Sequence, residues 1–136
     1  MSWPYVDENS WDKARPLKYV AGDEKAETVV VDNDTVTADA KARKRLAGGA
    51  LLCEITASGL YGPYDKSASD GRETLAEGSA VVTWRGVDVT LGDGAIAGLF
   101  ADCVFDLSEL TLNGVSLHGT SLTALKNAFP QCTFSD

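Results

Sequence analysis

Short runs of apolar and β-branched residues, separated by turn-forming residues, make up most of the sequence after residue 27. Thr28–Asp32 has the β-branched composition of a strand. Leu51–Thr56 and Leu60–Tyr64 flank the turn signal Ser58-Gly59, a pattern that predicts a β-hairpin. Further strands are predicted at four segments: Ala80–Trp84, Val87–Leu91, a strand pair within Ala95–Val104, and Thr133-Phe134.

Two segments carry helix signals instead. Thr37–Leu46 is rich in Ala, Lys and Arg and is followed by Gly48-Gly49, which favours a helix end. Thr120–Phe129 has apolar residues at helical spacing and is followed by Pro130. The predicted fold is therefore mostly β or α+β: a small barrel-like, β-rich body with one or two short helices.

Residues 1–27 follow neither the strand nor the helix period. They mix charges and prolines with four aromatic residues: Trp3, Tyr5, Trp11 and Tyr19. Disordered tails are poor in aromatic residues, so we interpret this segment as an extended N-terminal arm that orders on another surface through these four side chains. The alternative is an arm folded back on its own domain. The predicted division is an arm at 1–27 and a β-rich domain at 28–136.

Charge and length limit the class of partner. The 136 residues fit one domain with its own core. Twelve Lys and Arg against 20 Asp and Glu give a net charge of −8, which repels phosphate and disfavours a nucleic-acid partner. One basic cluster is interpreted as a solvated face, or alternatively as a surface for an acidic partner subunit: Lys41, Arg43, Lys44 and Arg45.

The cysteines and the apolar runs indicate a cytoplasmic site of assembly. Cys53 and Cys103 lie in apolar runs and are expected to be buried free thiols, which suits a reducing compartment. Cys132 is the one cysteine expected near the surface. No apolar run approaches the roughly 20 residues that span a bilayer, and the first residues lack the basic start of a signal peptide. We therefore expect a soluble protein without a membrane partner.

Catalytic chemistry has little support in the sequence. The single histidine, His118, is not accompanied by a GxSxG nucleophile elbow. Asp65 and Asp70 lie in a Ser/Gly loop, where carboxylates usually cap backbone amides, and the loop lacks EF-hand spacing. We expect no enzyme activity, no metal and no cofactor. A small hydrolase that uses Asp102 (paired with Asp106) or His118 is a competing hypothesis.

Residues 49–74, GALLCEITASGLYGPYDKSASDGRET, are the most informative segment. They resemble the hallmark stretch of lambda-type bacteriophage head decoration proteins, in which G-x-L-x-x-x-I/V-T-A-S/T-G leads into Y/K-x-P-Y-D and A-S-D-G-x-E-T. The matching positions are Gly49, Leu51, Ile55, Thr56, Gly59, Pro63, Tyr64, Asp65, Ala68, Ser69, Asp70, Gly71, Glu73 and Thr74. The resemblance extends loosely over residues 28–134 and does not include the arm.

The resemblance implies a capsid decoration protein, a cement that forms homotrimers on the outer surface of a tailed-phage head. Such a protein stabilises the expanded shell against the pressure of packaged DNA, and it resides in the virion after assembly in the host cytoplasm. The arm would add a strand to the major capsid protein by β-augmentation. The expected partners are thus the major capsid protein and other copies of the chain. The expected capsid or subunit contacts in the body are Tyr61, Pro63, Tyr64, Asp65 and Asp70.

A second hypothesis is a virion-surface module that binds glycans or the host. Tryptophan rings are stacking platforms for sugars, and Trp84 is the tryptophan that lies in the body. We expect it to pack in the core. An exposed Trp84 would favour the glycan hypothesis, and a buried one would remove it.

Overall fold

The computed structural model describes residues 16–20, 22–106, 110–112, 115–116 and 122–135. The strands are β1 (Leu17–Tyr19), β2 (Lys25–Val31), β3 (Arg45–Leu46), β4 (Leu51–Glu54), β5 (Tyr61–Pro63), β6 (Ala80–Thr83), β7 (Val87–Asp88), β8 (Gly94–Ala101), β9 (Val104–Asp106), β10 (Thr111–Leu112), β11 (Val115–Ser116) and β12 (Thr133–Ser135). A 3-10 helix spans Asn33–Thr35, and helix α1 spans Leu122–Ala128. Among these residues, no helix combines the length and the apolar character needed to cross a membrane. The mostly β fold class is confirmed.

Five strands form a closed barrel in the order β2-β5-β4-β6-β8. Its neighbouring strands are antiparallel, except that β2 and β5 meet in parallel at Val31 and Tyr61. The pairing of β2 with β8 runs the whole length of β2, from Lys25 opposite Ala101 to Val31 opposite Gly94. Side chains fill the interior of so small a barrel. The buried ones are Val29, Val31, Val36, Leu46, Ala50, Leu52, Tyr61, Val81 and Val89.

A second core covers one side of the barrel wall. On one side of this core lie the barrel strands β4 and β6. On its other side lie helix α1 and a sheet of order β1-β9-β12. Alternate residues of a strand point to opposite faces, so Leu52 and Val81 enter the barrel while Leu51, Cys53 and Val82 enter the second core. Because both faces of β4 and β6 are covered, these strands appear in the sequence as continuous apolar runs.

Three phenylalanines form the centre of the second core. The ring of Phe105 in β9 lies 5.9 Å from that of Phe129, which follows α1, and 5.5 Å from that of Phe134 in β12. The rings of Phe129 and Phe134 are 6.3 Å apart. These separations are in the range of favourable aromatic contacts. The cluster therefore joins β9, β12 and the end of α1 over the barrel wall.

Several sequence predictions are confirmed. β4 and β5 form the expected hairpin, with Leu52 opposite Pro63 and Glu54 opposite Tyr61. Strands also occur in the segments where β2, β6 and β12 were predicted, and α1 lies within the predicted C-terminal helix. The region from Ala95 to Val104 is divided between one long strand, β8, and the start of β9, with the break at Asp102, whose φ is +57°.

The helix predicted at Thr37–Leu46 is wrong. The Asp39 carboxylate accepts hydrogen bonds from the backbone N–H groups of Lys41 and Arg43, at 2.8 and 3.0 Å. Ala42 has a φ of +61°, which a right-handed helix does not allow. Aspartate side chains compete in this way with helical hydrogen bonds. The segment therefore turns, and its end pairs as β3 with β7.

The β-rich body also begins earlier than the sequence predicted. Leu17 in β1 lies opposite Phe105 in β9, and the N–H of Asp106 donates a 2.7 Å hydrogen bond to the carbonyl oxygen of Pro16. Because β2 starts at Lys25, the predicted boundary between residues 27 and 28 falls inside a barrel strand. Tyr19 belongs to β1. The other predicted arm contacts, Trp3, Tyr5 and Trp11, lie outside the described residues.

Candidate functional site

The candidate site is the surface formed by the tip of the β4–β5 hairpin and the loop that follows it, residues 56–60 and 64–74, here called the hairpin–loop surface. The loop folds back along the hairpin. The N–H of Thr56 donates to the carbonyl oxygen of Asp70 at 2.9 Å, and the N–H of Asp65 donates to that of Arg72 at 3.1 Å. Backbone hydrogen bonds of this kind fix the loop in one conformation and so preorganise its outer face.

Two aspartates of the loop hold its turns together. Asp65 accepts hydrogen bonds from the hydroxyl and the N–H of Ser67, at 2.7 and 2.9 Å. Asp70 accepts from the N–H and the guanidinium Nε of Arg72, at 3.1 and 3.0 Å. These donors lower the pKa of both carboxyl groups, chiefly the Ser67 hydroxyl for Asp65 and the Arg72 N–H for Asp70. The predicted capping role of both aspartates is confirmed.

Two of the expected contact residues are not on the surface. Tyr61 is 6% exposed and contributes to the barrel core, and Pro63 is also buried. Burial raises the pKa of the Tyr61 hydroxyl. Both residues belong to β5, which lies between β2 and β4 in the barrel. Tyr64 is half-buried against the second core. Tyr61 and Pro63 therefore belong to the barrel wall and not to the hairpin–loop surface, and the expectation of direct contact is corrected for both.

Two glycines allow the loop to approach the barrel closely. A Cβ added to Gly62 would lie 2.5 Å from Oγ1 of Thr35 and 2.8 Å from Cδ of Arg72. Gly71 has a φ of +117°, and a Cβ there would lie 2.6 Å from the carbonyl oxygen of Glu54. The turn signal at Asp70-Gly71 indicated one of these positions. Nothing local in the sequence indicated that Gly62 lies beneath Arg72, because the contact joins distant segments.

The exposed part of the surface consists mostly of short side chains, together with the charged side chains of Lys66 and Glu73. Its exposed residues are Thr56, Ala57, Ser58, Gly59, Lys66, Ser67, Ser69, Glu73 and Thr74. Such a face can form hydrogen bonds and close backbone contacts with another protein. In the part of the chain that the structure describes, no group of three or more His, Cys, Asp or Glu side chains is placed to hold a metal ion.

The other residues considered for chemistry are engaged elsewhere or are not described. Asp102 forms a 2.8 Å ion pair with Lys25, and His118 lies outside the described residues. Trp84 is half-buried and packs against the second core. In the basic cluster, the Arg43 guanidinium lies 3.1 Å from the Asp39 carboxylate, and the Lys44 ammonium donates to the carbonyl oxygen of Asn33. Both cations are therefore bound to their own chain.

A second exposed surface lies on the outside of the barrel, where β2 pairs with β8. Val30, 37% exposed, lies opposite Ala95, and Thr28 lies opposite Ala97. All four residues are exposed and none is charged. We call these four residues the β2–β8 face. Its small, uncharged side chains distinguish it from the polar hairpin–loop surface.

Comparisons with known proteins add no relative. No family model, curated protein or solved structure matched the chain. Function is therefore inferred from the motif at residues 49–74 and from the geometry of the hairpin–loop surface and the β2–β8 face.

Proposed function

We propose that the protein is a capsid decoration protein that binds the outside of a tailed-phage head as a homotrimer and stabilises the expanded shell. The observation that carries the proposal is that the motif at residues 49–74 folds as one structural unit. Its glycines, its carboxylates and its hairpin all serve to hold the same preorganised surface. The resemblance to head decoration proteins thus concerns a continuous segment that supplies two barrel strands and the partly exposed loop beside them.

The proposed arm is shorter than the sequence suggested and starts from a fixed point. β1 is an edge strand of the sheet β1-β9-β12, and the hydrogen bond from Asp106 holds Pro16 beside it. The first described residues, Pro16 and β1, therefore lie at a sheet edge, and residues 1–15 precede them in the sequence. In this proposal they lie on the major capsid protein, with Trp3, Tyr5 and Trp11 as contacts, and add a strand to it. Tyr19 instead belongs to the anchoring strand.

The subunits of the trimer are proposed to meet at the β2–β8 face. Uncharged, small side chains allow two backbones to approach closely, and the burial of Val30 against another copy would remove apolar surface from water. A rigid trimer presents three arms at once, so three weak contacts give strong retention on the shell. The net charge of −8 suits an outer layer that does not bind DNA.

The proposal is tested first on the full chain. Light scattering should give the mass of a trimer, and the protein should co-sediment with expanded empty heads of a tailed phage. A variant that lacks residues 1–15 should keep the circular dichroism spectrum and the trimer mass of the full chain, and should no longer sediment with heads. Deletion as far as residue 27 is unsuitable because it removes β1 and the first residues of β2.

Two results would overturn the proposal. One is a monomer in solution that also fails to bind heads. The other is retention of full head binding by the variant without residues 1–15, which would remove the role of the arm. The glycan-binding alternative needs a ring exposed to solvent, and the half-buried position of Trp84 against the second core does not favour it.

A further inference from the structure

Cys103 and Cys132 lie opposite each other at the start of two paired strands. β9 and β12 are parallel, with Val104 opposite Thr133, and each cysteine immediately precedes its strand. Two backbone hydrogen bonds enclose the pair: the N–H of Thr133 donates to the carbonyl oxygen of Cys103 at 2.9 Å, and the N–H of Asp102 donates to that of Gln131 at 3.1 Å. The two cysteines are therefore held in register.

This spacing suits a disulfide. Paired strands lie about 4.8 Å apart, and disulfides join residues whose Cα atoms are roughly 4.4–6.8 Å apart. Cys103 belongs to the second core and Cys132 packs against that core, so the two side chains lie on the same side of the sheet. Both cysteines are free thiols in the structure. A bond between them would need rotation of the side chains and little movement of the backbone.

The two thiols differ in access and in acidity. Cys103 is 2% exposed, whereas Cys132 is half-buried. The interaction with Cys103 lowers the pKa of Cys132. The same interaction, together with burial, raises the pKa of Cys103, whose thiol donates a 3.1 Å hydrogen bond to the carbonyl oxygen of Ala101. The thiolate is the reactive form of cysteine, so Cys132 has the properties of an attacking thiol and Cys103 those of its resolving partner.

We propose that Cys103 and Cys132 are an oxidation-sensitive pair that closes into a disulfide when the protein meets a low-molecular-weight disulfide such as glutathione disulfide. The Cys132 thiolate attacks one sulfur of glutathione disulfide, whose S–S bond breaks and releases one glutathione thiolate. The Cys103 sulfur then attacks the Cys132 sulfur, the mixed disulfide bond breaks, and the Cys103 proton passes to the second glutathione, which leaves as a thiol. Two protein thiols are oxidised, and one glutathione disulfide is reduced to two glutathiones.

The new bond would join the last strand of the body covalently to β9. It would close a loop that contains α1 and constrain the unfolded chain, so the oxidised form should unfold at a higher temperature than the reduced form. The inference does not depend on the proposed capsid function, since it concerns the body alone. Cys53 provides an internal contrast, because its burial in β4 raises the pKa of its thiol to about 12.

The test uses the full chain, incubated in the folded state with glutathione disulfide, quenched in acid and then unfolded. Of the three thiols, one should remain, and peptide mapping should show Cys103 joined to Cys132. A reductant should restore all three. The control variant Cys53→Ser should lose both of its remaining thiols in the same way, because Cys53 takes no part.

Two further variants separate the steps. Cys103→Ser should stop at a glutathione adduct on Cys132, and Cys132→Ser should keep both of its thiols and form no adduct. Retention of all three thiols by the unaltered chain would overturn the proposal, as would a stable glutathione adduct or a disulfide between two chains. The peptide map of the unaltered chain decides the question even where a serine variant fails to fold.

Discussion

Thr56 and Asp70 join the hairpin to the loop that follows it, through a 2.9 Å hydrogen bond from the N–H of Thr56 to the carbonyl oxygen of Asp70. The bond brings Gly71 against the backbone at the end of β4, where a Cβ would lie 2.6 Å from both the Glu54 carbonyl oxygen and the Thr56 hydroxyl. The conformation of the exposed loop is therefore set by a contact with the barrel wall. The shape of the hairpin–loop surface depends on this contact.

Gly71→Ala should destabilise the protein by about 3 kcal/mol, because the new methyl group meets backbone atoms and the φ of +117° is strained for any L-residue. Chemical denaturation measures the loss. Gly59→Ala is the matched control: Gly59 also has a positive φ, +75°, but nothing lies within 4 Å of its added Cβ. It should cost only about 1 kcal/mol. Equal losses in the two variants would contradict the close contact at Gly71.

Gly98→Ala should destabilise the barrel by about 1–3 kcal/mol through overpacking. Its added Cβ would lie 2.7 Å from Cβ and Cγ2 of Val81, a buried residue of the barrel core. Val81→Ala removes Cγ1 and Cγ2 but keeps the Cβ, so it relieves part of this overlap. Gly98→Ala should therefore cost less unfolding free energy in the Val81→Ala background than in the unaltered chain. A double-mutant cycle of urea unfolding measures the difference. Additive losses would show that the two residues do not meet.

Phe129→Ala should cost about 3–5 kcal/mol of unfolding free energy, since the ring is fully buried and contacts two other rings of the second core. Leu91→Ala is the control, because Leu91 is fully exposed in the turn between β7 and β8. The Leu91→Ala variant should lose no more than about 0.5 kcal/mol of unfolding free energy. Thermal or urea unfolding measures both. A small loss for Phe129→Ala would contradict the second core.

Acid should destabilise the body. Hydrogen bonds lower the pKa of four aspartates in the folded chain: Asp39, Asp65, Asp70 and Asp88. A carboxyl group whose pKa is lower in the folded chain than in the unfolded chain stabilises the fold at pH values above the unfolded pKa of about 3.9. This stabilisation is lost as the pH falls from about 5, through the unfolded pKa, towards the folded pKa. The unfolding free energy should therefore decrease between about pH 5 and pH 3.

Asp70→Asn isolates one of these groups. Its unfolding free energy should fall less steeply with acid than that of the unaltered chain, because one depressed pKa has been removed. Ser69→Ala changes the exposed neighbouring side chain without altering charge, and should keep the original slope. Urea titrations at several pH values measure these slopes. If Asp70→Asn and the unaltered chain had the same slope, the ionised Asp70 would not stabilise the loop.

Val30→Asp should convert the proposed trimer into monomers. It places a carboxylate in the β2–β8 face, and each copy would have to bury that charge at the subunit contact. The body should stay folded, since Val30 is 37% exposed. Leu91→Asp makes the same change at a fully exposed position outside this face and should remain a trimer. Light scattering distinguishes the outcomes. A trimeric Val30→Asp variant would assign the subunit contact to another surface.

The sequence predicted those parts of the fold that depend on neighbouring residues. The β-branched run of β2, the turn between β4 and β5 and the leucine spacing of α1 each act over a few positions, so each was visible in the chain. The same kind of reasoning failed at Thr37–Leu46. There, helix-forming composition was overridden by hydrogen bonds from one side chain, Asp39, and by the left-handed backbone of Ala42.

Only the tertiary structure decided which side chains reach the surface. Tyr61 and Pro63 belong to a motif whose residues were expected to make contacts, yet the pairing of β5 with β2 and β4 buries both. The pairing of β9 with β12 likewise brings Cys103 to Cys132 across the whole C-terminal helix. Local preferences determine which segments become strands. Which side chains are buried, and which distant residues meet, depends on which strands pair. The packing of the two cores fixes that pairing.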